Sequence, residues 1–308
     1  MKPIRAAAFS HSAQSRLTPV PNWPQLPGHV SLDRVSGVAA DSRGMVYVAH
    51  RGEHPLLCLY PDGRLHSIVA DEAHEKSVSE DLRGPVPVPM EYRHWLHGLH
   101  VDPWDNVWIT DVGRHLVMRF DPTGTLTLQL GTPGKSGCDA CHFYQPTHVC
   151  VLPSGDFFVT DGYGNSRVAK FSGNGQFLAE WGGRGIAPGK FHTPHVITVG
   201  MDGRLYISDR ENDRVQVFDK QGKLLDLWDD LHSVDGLFAA RDGFIYGSAG
   251  LDNALIQFDS NGRKMQVWAE AGRFNYPHAI YVDLGGAFYV GEISGSRVLK
   301  LRCSPHVR

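Results

Sequence analysis

The chain has 308 residues, an apolar fraction of 42% and a formal net charge of −3. That is enough material for one large domain, with no charge excess to hold nucleic acid or an anionic membrane. No window approaches the run of about 18 apolar residues that a membrane span needs, and five cysteines in a chain this long do not make a disulfide framework. The basic start, MKPIRAAAFSHSAQSRL, has too short an apolar stretch for a secretion signal, so the expectation is a soluble, cytoplasmic protein.

The 34 glycines announce many turns, and the 17 histidines invite a search for metal ligands. In chain order one pattern recurs: an apolar strand, a Gly turn, an aromatic-aliphatic strand, a polar loop and a third strand. It starts as SGVAADSRGMVYVAHRGEHPLLCLYPDG (36–63) and returns as HGLHVDPWDNVWITDVGRHLVMRFDPTG (97–124). Further copies begin at Thr147, His195, Asp235 and His278, and short fourth strands such as QFLAEWG (176–182) and KLLDLWD (223–229) follow most of them. Period-2 alternation with Gly-containing turns marks antiparallel strands. Six copies of a four-stranded unit predict an all-β, six-bladed β-propeller in which residues 1–308 form a single domain. The last copy stops after its third strand. N-terminal residues are expected to supply the fourth and so cover an open edge.

Aligned copies give one equivalent slot at the start of each innermost strand, occupied by Ser36, His97, Thr147, His195, Asp235 and His278. These lie about 40–60 residues apart, one repeat each. Histidine therefore falls in blades two, four and six. Alternate blades of a six-fold ring stand about 120° apart, and their inner strands line the channel. His97, His195 and His278 thus predict a three-histidine metal site with positions left open, as a catalytic zinc requires; Fe2+ or Mn2+ would suit the same donors.

Strand order selects further residues. Loops joining second to third strands surround the slot, and they carry Arg51 in AHRGEH (49–54), Tyr163 in TDGYGNSR (160–167) and Arg210 in SDRENDR (208–214). A fixed guanidinium suits bidentate carboxylate binding. A tyrosine beside a metal and an arginine is expected to have its pKa lowered toward service as a base. The connections 70–95, 131–146 and 182–193 are expected on the same face, as walls of a cleft. One of them holds CDACH (138–142), the spacing of a c-type haem attachment, read here as a solvent-side loop with a thiol pair, a lid role or second metal staying open. His148, one place past its slot, is expected to turn away from the axis.

At these residues the sequence resembles the peptidyl-α-hydroxyglycine α-amidating lyases among the NHL-repeat propellers. The likeness is densest over 142–218, in QPTHV, VTDGYGNSRVAKFS, PGKFHTPHVITV and SDRENDRVQVF. The resemblance implies zinc on His97, His195 and His278, Tyr163 as base, Arg51 on the substrate carboxylate and Arg210 supporting the tyrosine. It also marks departures. Tyr144 and Gly164 stand where the family has a disulfide, and Tyr276 where it has a methionine, beside the metal, so that Tyr276 is expected to change the wall of the substrate pocket. Ala279 replaces an aspartate thought to help bind calcium, which leaves a structural Ca2+ without that ligand. The implied reaction is cleavage of an N-(α-hydroxyalkyl) amide to an amide and an aldehyde such as glyoxylate, on a small or peptide-like substrate with a carboxylate. Two alternatives stay open: a metal-dependent hydrolase or lyase of another small hydroxy or carbonyl compound, and a non-catalytic NHL-repeat scaffold.

Overall fold

The computed structural model describes residues 15–69 and 95–304. These residues form six four-stranded antiparallel sheets, the blades of a six-bladed propeller. Blade one comprises β2 (Gly37–Ala40), β3 (Val46–Ala49), β4 (Leu56–Leu59) and β5 (Leu65–Ile68), and blades two to five follow the same up-and-down order. Blade six is composite: β22 (Pro277–Val282), β23 (Ala287–Glu292) and β24 (Arg297–Ser304) are completed by β1 (Arg16–Pro19), with Arg16 opposite Ser304 and Pro19 opposite Leu301. The expected closure by N-terminal residues is what the chain does. Arg273 Nη1 reinforces it, donating to the Leu17 carbonyl oxygen (2.6 Å).

Aspartates at the first position of the hairpin turns explain why the hairpins form where they do. Asp102 Oδ1 accepts from the backbone N–H of Trp104 (2.9 Å) and Asn106 (3.0 Å), and Asp219 and Asp259 each collect two such bonds at their own turns. These are Asx turns, in which a short carboxylate mimics the missing backbone partner.

Sheet faces in a propeller look at neighbouring blades, and β10 (His148–Val151) shows the consequence. Val149 and Val151 pack with Trp108 and Val117 of blade two, whereas Cys150 packs with Ile197 and Leu205 of blade four. Alternation therefore switches a side chain between neighbouring blades; it does not switch it toward or away from the axis. This corrects the expectation for His148, which lines the axial cavity together with His100.

Two of the three long connections can be placed. Arg167, paired with buried Asp161 (3.0 Å), donates from Nη2 to the carbonyls of Asp139 (3.1 Å) and His142 (2.8 Å). Arg214, paired with buried Asp209 (2.8 Å), donates from Nη1 to the Ile186 carbonyl and from Nη2 to those of Ala187 and Lys190. Buried carboxylates are tolerable when so paired. Both pairs hold 131–146 and 182–193 against the loops that carry Tyr163 and Arg210, as strand order required. Residues 70–94 of the third connection lie outside the described residues.

Candidate active site

Six slots, one per blade, build the centre. His97, His195 and His278 are all buried, and one ring nitrogen of each lies within 4.8 Å of the others. The intervening slots fix them. Nδ1 of His97 donates to the carbonyl oxygen of Thr147 (2.7 Å), that of His195 to Asp235 (2.7 Å) and that of His278 to Ser36 (2.9 Å). A proton on Nδ1 leaves the Nε2 lone pair free, so each imidazole is a neutral donor in a set orientation. Burial favours the same form, pushing all three below the ordinary histidine range, His278 to about 3. The Ser36 and Thr147 hydroxyls extend the lock, donating to the Leu96 and Pro194 carbonyls (both 2.7 Å) just before the next histidine.

Above this ring sits Tyr163, only 8% exposed, with its hydroxyl 2.9 Å from His97 Nε2 and 3.0 Å from His195 Nε2. Arg210 Nη1 lies 2.8 Å from the same His195 Nε2. The phenol can give its one proton to one imidazole only. With the phenol proton and an Arg210 N–H, two donors face three Nε2 lone pairs, and three neutral imidazoles converging with a phenol oxygen are a donor set that suits a divalent cation. A point between the three nitrogens is within about 3 Å of each, close enough for small adjustments to reach the 2.0–2.1 Å of a Zn–N bond.

Two arginines flank the phenol. Arg210 is held by Glu211 (2.5 Å) and Asp235 (3.3 Å), with its guanidinium 5.5 Å from the Tyr163 ring centre. Burial works to lower its pKa, but the charges around it prevail and raise it. Arg51 lies over the Trp95 ring at 4.4 Å, and its buried Nε has no hydrogen-bond partner among the described residues. Burial lowers it to about 10, so it is still charged at neutral pH. The expected lowering of Tyr163 is not produced by the protein groups alone. Burial raises the phenol pKa, and the opposing pull of Arg210 and Arg51 does not overcome it. A further positive charge at the histidines would be needed.

Tyr276 takes up a left-handed backbone (φ 56°), held by its N–H donating to Asn253 Oδ1 (2.7 Å). Its ring covers Gly250, where a Cβ would sit 2.5 Å from Cε1, so only glycine fits beneath it. That sets Tyr276 on the rim beside Asp235, outside the ring of three histidines. At the family's disulfide position the Tyr144 backbone and ring press on Gly164. A Cβ there would meet the Tyr144 carbonyl oxygen at 2.3 Å, so close packing replaces the covalent link.

Sequence reading assigned no role to Asp235, Trp95 or Glu211. Asp235 had a signal: it fills the blade-five slot. Its backbone oxygen fixes His195 while its carboxylate holds Arg210 and accepts from Gly250 N–H (2.9 Å). Trp95 had none, since nothing in the repeat marks that position. Nor did the sequence reveal an axial cavity of about 670 Å³, which reaches the imidazoles from the side of the first hairpin turns, away from Tyr163, Arg51 and Arg210.

The NHL repeat model matches residues 143–171 and 191–218. A probable peptidyl-alpha-hydroxyglycine alpha-amidating lyase of Caenorhabditis elegans is 30% identical over 299 residues, covering 88% of this chain and 83% of the relative. The chain belongs to the peptidyl-α-hydroxyglycine α-amidating lyase family of NHL-repeat propellers. The family also reaches the human NHL repeat-containing protein 3, 32% identical over 90% of this chain and 82% of that protein. Peptidyl-glycine alpha-amidating monooxygenase A of Xenopus laevis is 32% identical over 91% of this chain but only 32% of its own length. The chain thus spans about a third of the amidating monooxygenases it matches.

Proposed function

We propose that the chain is a metal-dependent lyase that splits a carboxylate-bearing N-(α-hydroxyalkyl) amide, of the peptidyl-α-hydroxyglycine kind, into an amide and glyoxylate. The observation that carries this reading is the convergence of the Tyr163 hydroxyl on His97 and His195, between Arg210 and Arg51. The proposed ligands are His97, His195 and His278. A zinc ion there, or Fe2+ or Mn2+, would act as a Lewis acid toward the substrate hydroxyl. No calcium is proposed, because Ala279 offers no carboxylate.

Arg51, stacked on Trp95 with a spare donor, binds the substrate carboxylate and so orients the adjacent carbon toward the histidines. Tyr163, ionised, takes the hydroxyl proton. The C–O bond becomes C=O as the C–N bond breaks, its electron pair goes to the amide nitrogen, and the proton returns there. Arg210, its guanidinium 5.5 Å from the Tyr163 ring centre, favours the phenolate by its charge. The deciding assay follows glyoxylate and benzamide release from α-hydroxyhippurate by the zinc-reconstituted chain. Absence of turnover with full metal content would reject the reaction and leave the metal site.

Two variants examine the supporting residues. Arg51→Ala removes a charge-assisted bond of about 1.5–3 kcal/mol, so kcat/KM for the acidic substrate should fall roughly 10- to 150-fold. A neutral carbinolamide should lose little, and equal losses on both substrates would contradict the carboxylate role. Asp235→Asn keeps the shape but drops the charge facing Arg210. We expect kcat to fall about tenfold, with KM and zinc content close to unchanged, as for loss of a transition-state contact. Loss of zinc would instead show that the carboxylate steadies His195 through Arg210, since the backbone oxygen that fixes the imidazole is untouched.

A further inference from the structure

Cys138 and Cys141 are two free, exposed thiols separated by two residues, and no role in the site uses them. Among the described residues only the three axial histidines converge as a set of metal donors, so the thiols, Asp139 and His142 are not arranged as a second metal site. Their loop is nevertheless well built. Gly137 N–H donates to the Phe143 carbonyl oxygen (3.0 Å) and closes it at the base. Asp139 Oδ1 accepts from the N–H groups of Cys141 (2.7 Å) and His142 (2.9 Å), which bends the chain between the cysteines. The backbone bends at every residue from 138 to 141, so the two cysteines are not held apart by an extended chain, and a disulfide needs a Cα separation of roughly 4.4–6.8 Å.

The same loop is fastened to the one that carries Tyr163. Asn165 Nδ2 donates to the Gly137 carbonyl (2.8 Å), and Arg167 Nη2 donates to the Asp139 and His142 carbonyls on either side of Cys141. Further along, Gly164 N–H donates to the Tyr144 carbonyl (2.9 Å) and Tyr163 N–H to that of Gln145 (3.3 Å). Any stiffening between 138 and 141 is thus passed to both sides of Tyr163.

We propose that Cys138 and Cys141 form a reversible intraloop disulfide, a redox modification site whose state sets the mobility of the Tyr163 loop. The step is thiol–disulfide exchange with a small-molecule or protein disulfide. One cysteine thiolate attacks it and releases the first thiol; the second cysteine then attacks the mixed disulfide and releases the other. Two protein thiols are oxidised to one S–S bond, and the partner disulfide is reduced to two thiols.

The test uses the whole chain in a Cys303→Ser background, equilibrated across glutathione redox buffers and trapped for mass spectrometry, with amide hydrogen exchange on the same samples. We expect a 138–141 disulfide to appear as the buffer becomes oxidising. Exchange across 160–167 should slow several-fold, reverse with dithiothreitol, and stay unchanged in Cys138→Ser. Thiols that remain free or carry only glutathione overturn the proposal, and so does a disulfide that leaves exchange at 160–167 unaltered. Neither readout depends on the lyase reaction, so failure of the turnover assay would count against the proposed function and not against this site.

Discussion

Tyr163→Phe is expected to lower kcat by 10²–10⁴-fold, the usual worth of a positioned base, while bound zinc stays at the wild-type level. The substitution is clean. The ring keeps its tilted packing on Trp95 (6.4 Å between centres) and its edge contact with His97 (5.3 Å), and loses only the oxygen between the two imidazoles. Fold and ligand geometry should therefore survive, so a fall in kcat reports the chemistry. Steady-state kinetics beside zinc analysis would check it. Wild-type turnover would remove Tyr163 as the base and leave the proposed metal site to be judged separately.

His195→Ala should have the larger effect, on metal and on turnover together. The imidazole is tied to blade five through Asp235 and faces both Tyr163 and Arg210, so its removal deletes a proposed ligand and a contact of two neighbours. Loss of an outer partner alone typically costs 10- to 100-fold in metal affinity, so loss of the ligand should exceed about 100-fold. Zinc titration and elemental analysis would read it directly. His148→Ala is the control, because His148 lines the same cavity without belonging to the converging three. Equal zinc loss in both variants would mean a general collapse of the channel; full retention in His195→Ala would refute the three-histidine centre.

Much of this was legible in the chain, because repeats convert sequence spacing into geometry. A four-stranded antiparallel unit that recurs six times points to a closed ring of blades. Within a ring, the position of a residue in its own repeat fixes its height, and the number of its repeat fixes its angle. That is why His97, His195 and His278 could be placed on one axis, and Arg51, Tyr163 and Arg210 on one face, without coordinates. The same logic gave the closing role of the N-terminal strand.

What the sequence could not determine depends on burial and on contacts between repeats. The carbonyls of Ser36, Thr147 and Asp235 carry no residue-specific signal, yet they select the imidazole tautomer, because the bond is made by backbone atoms of the next blade. The direction of the Tyr163 shift is a contest between desolvation and two guanidiniums, decided only once all are packed. His148 was misplaced because period-2 alternation says that neighbours face opposite sides of a sheet, but not what stands on each side. Sequence determined the ring, its register and the residues at its centre. The tertiary structure alone decided which atoms face that centre, in what protonation state, and from which side the axial cavity reaches them.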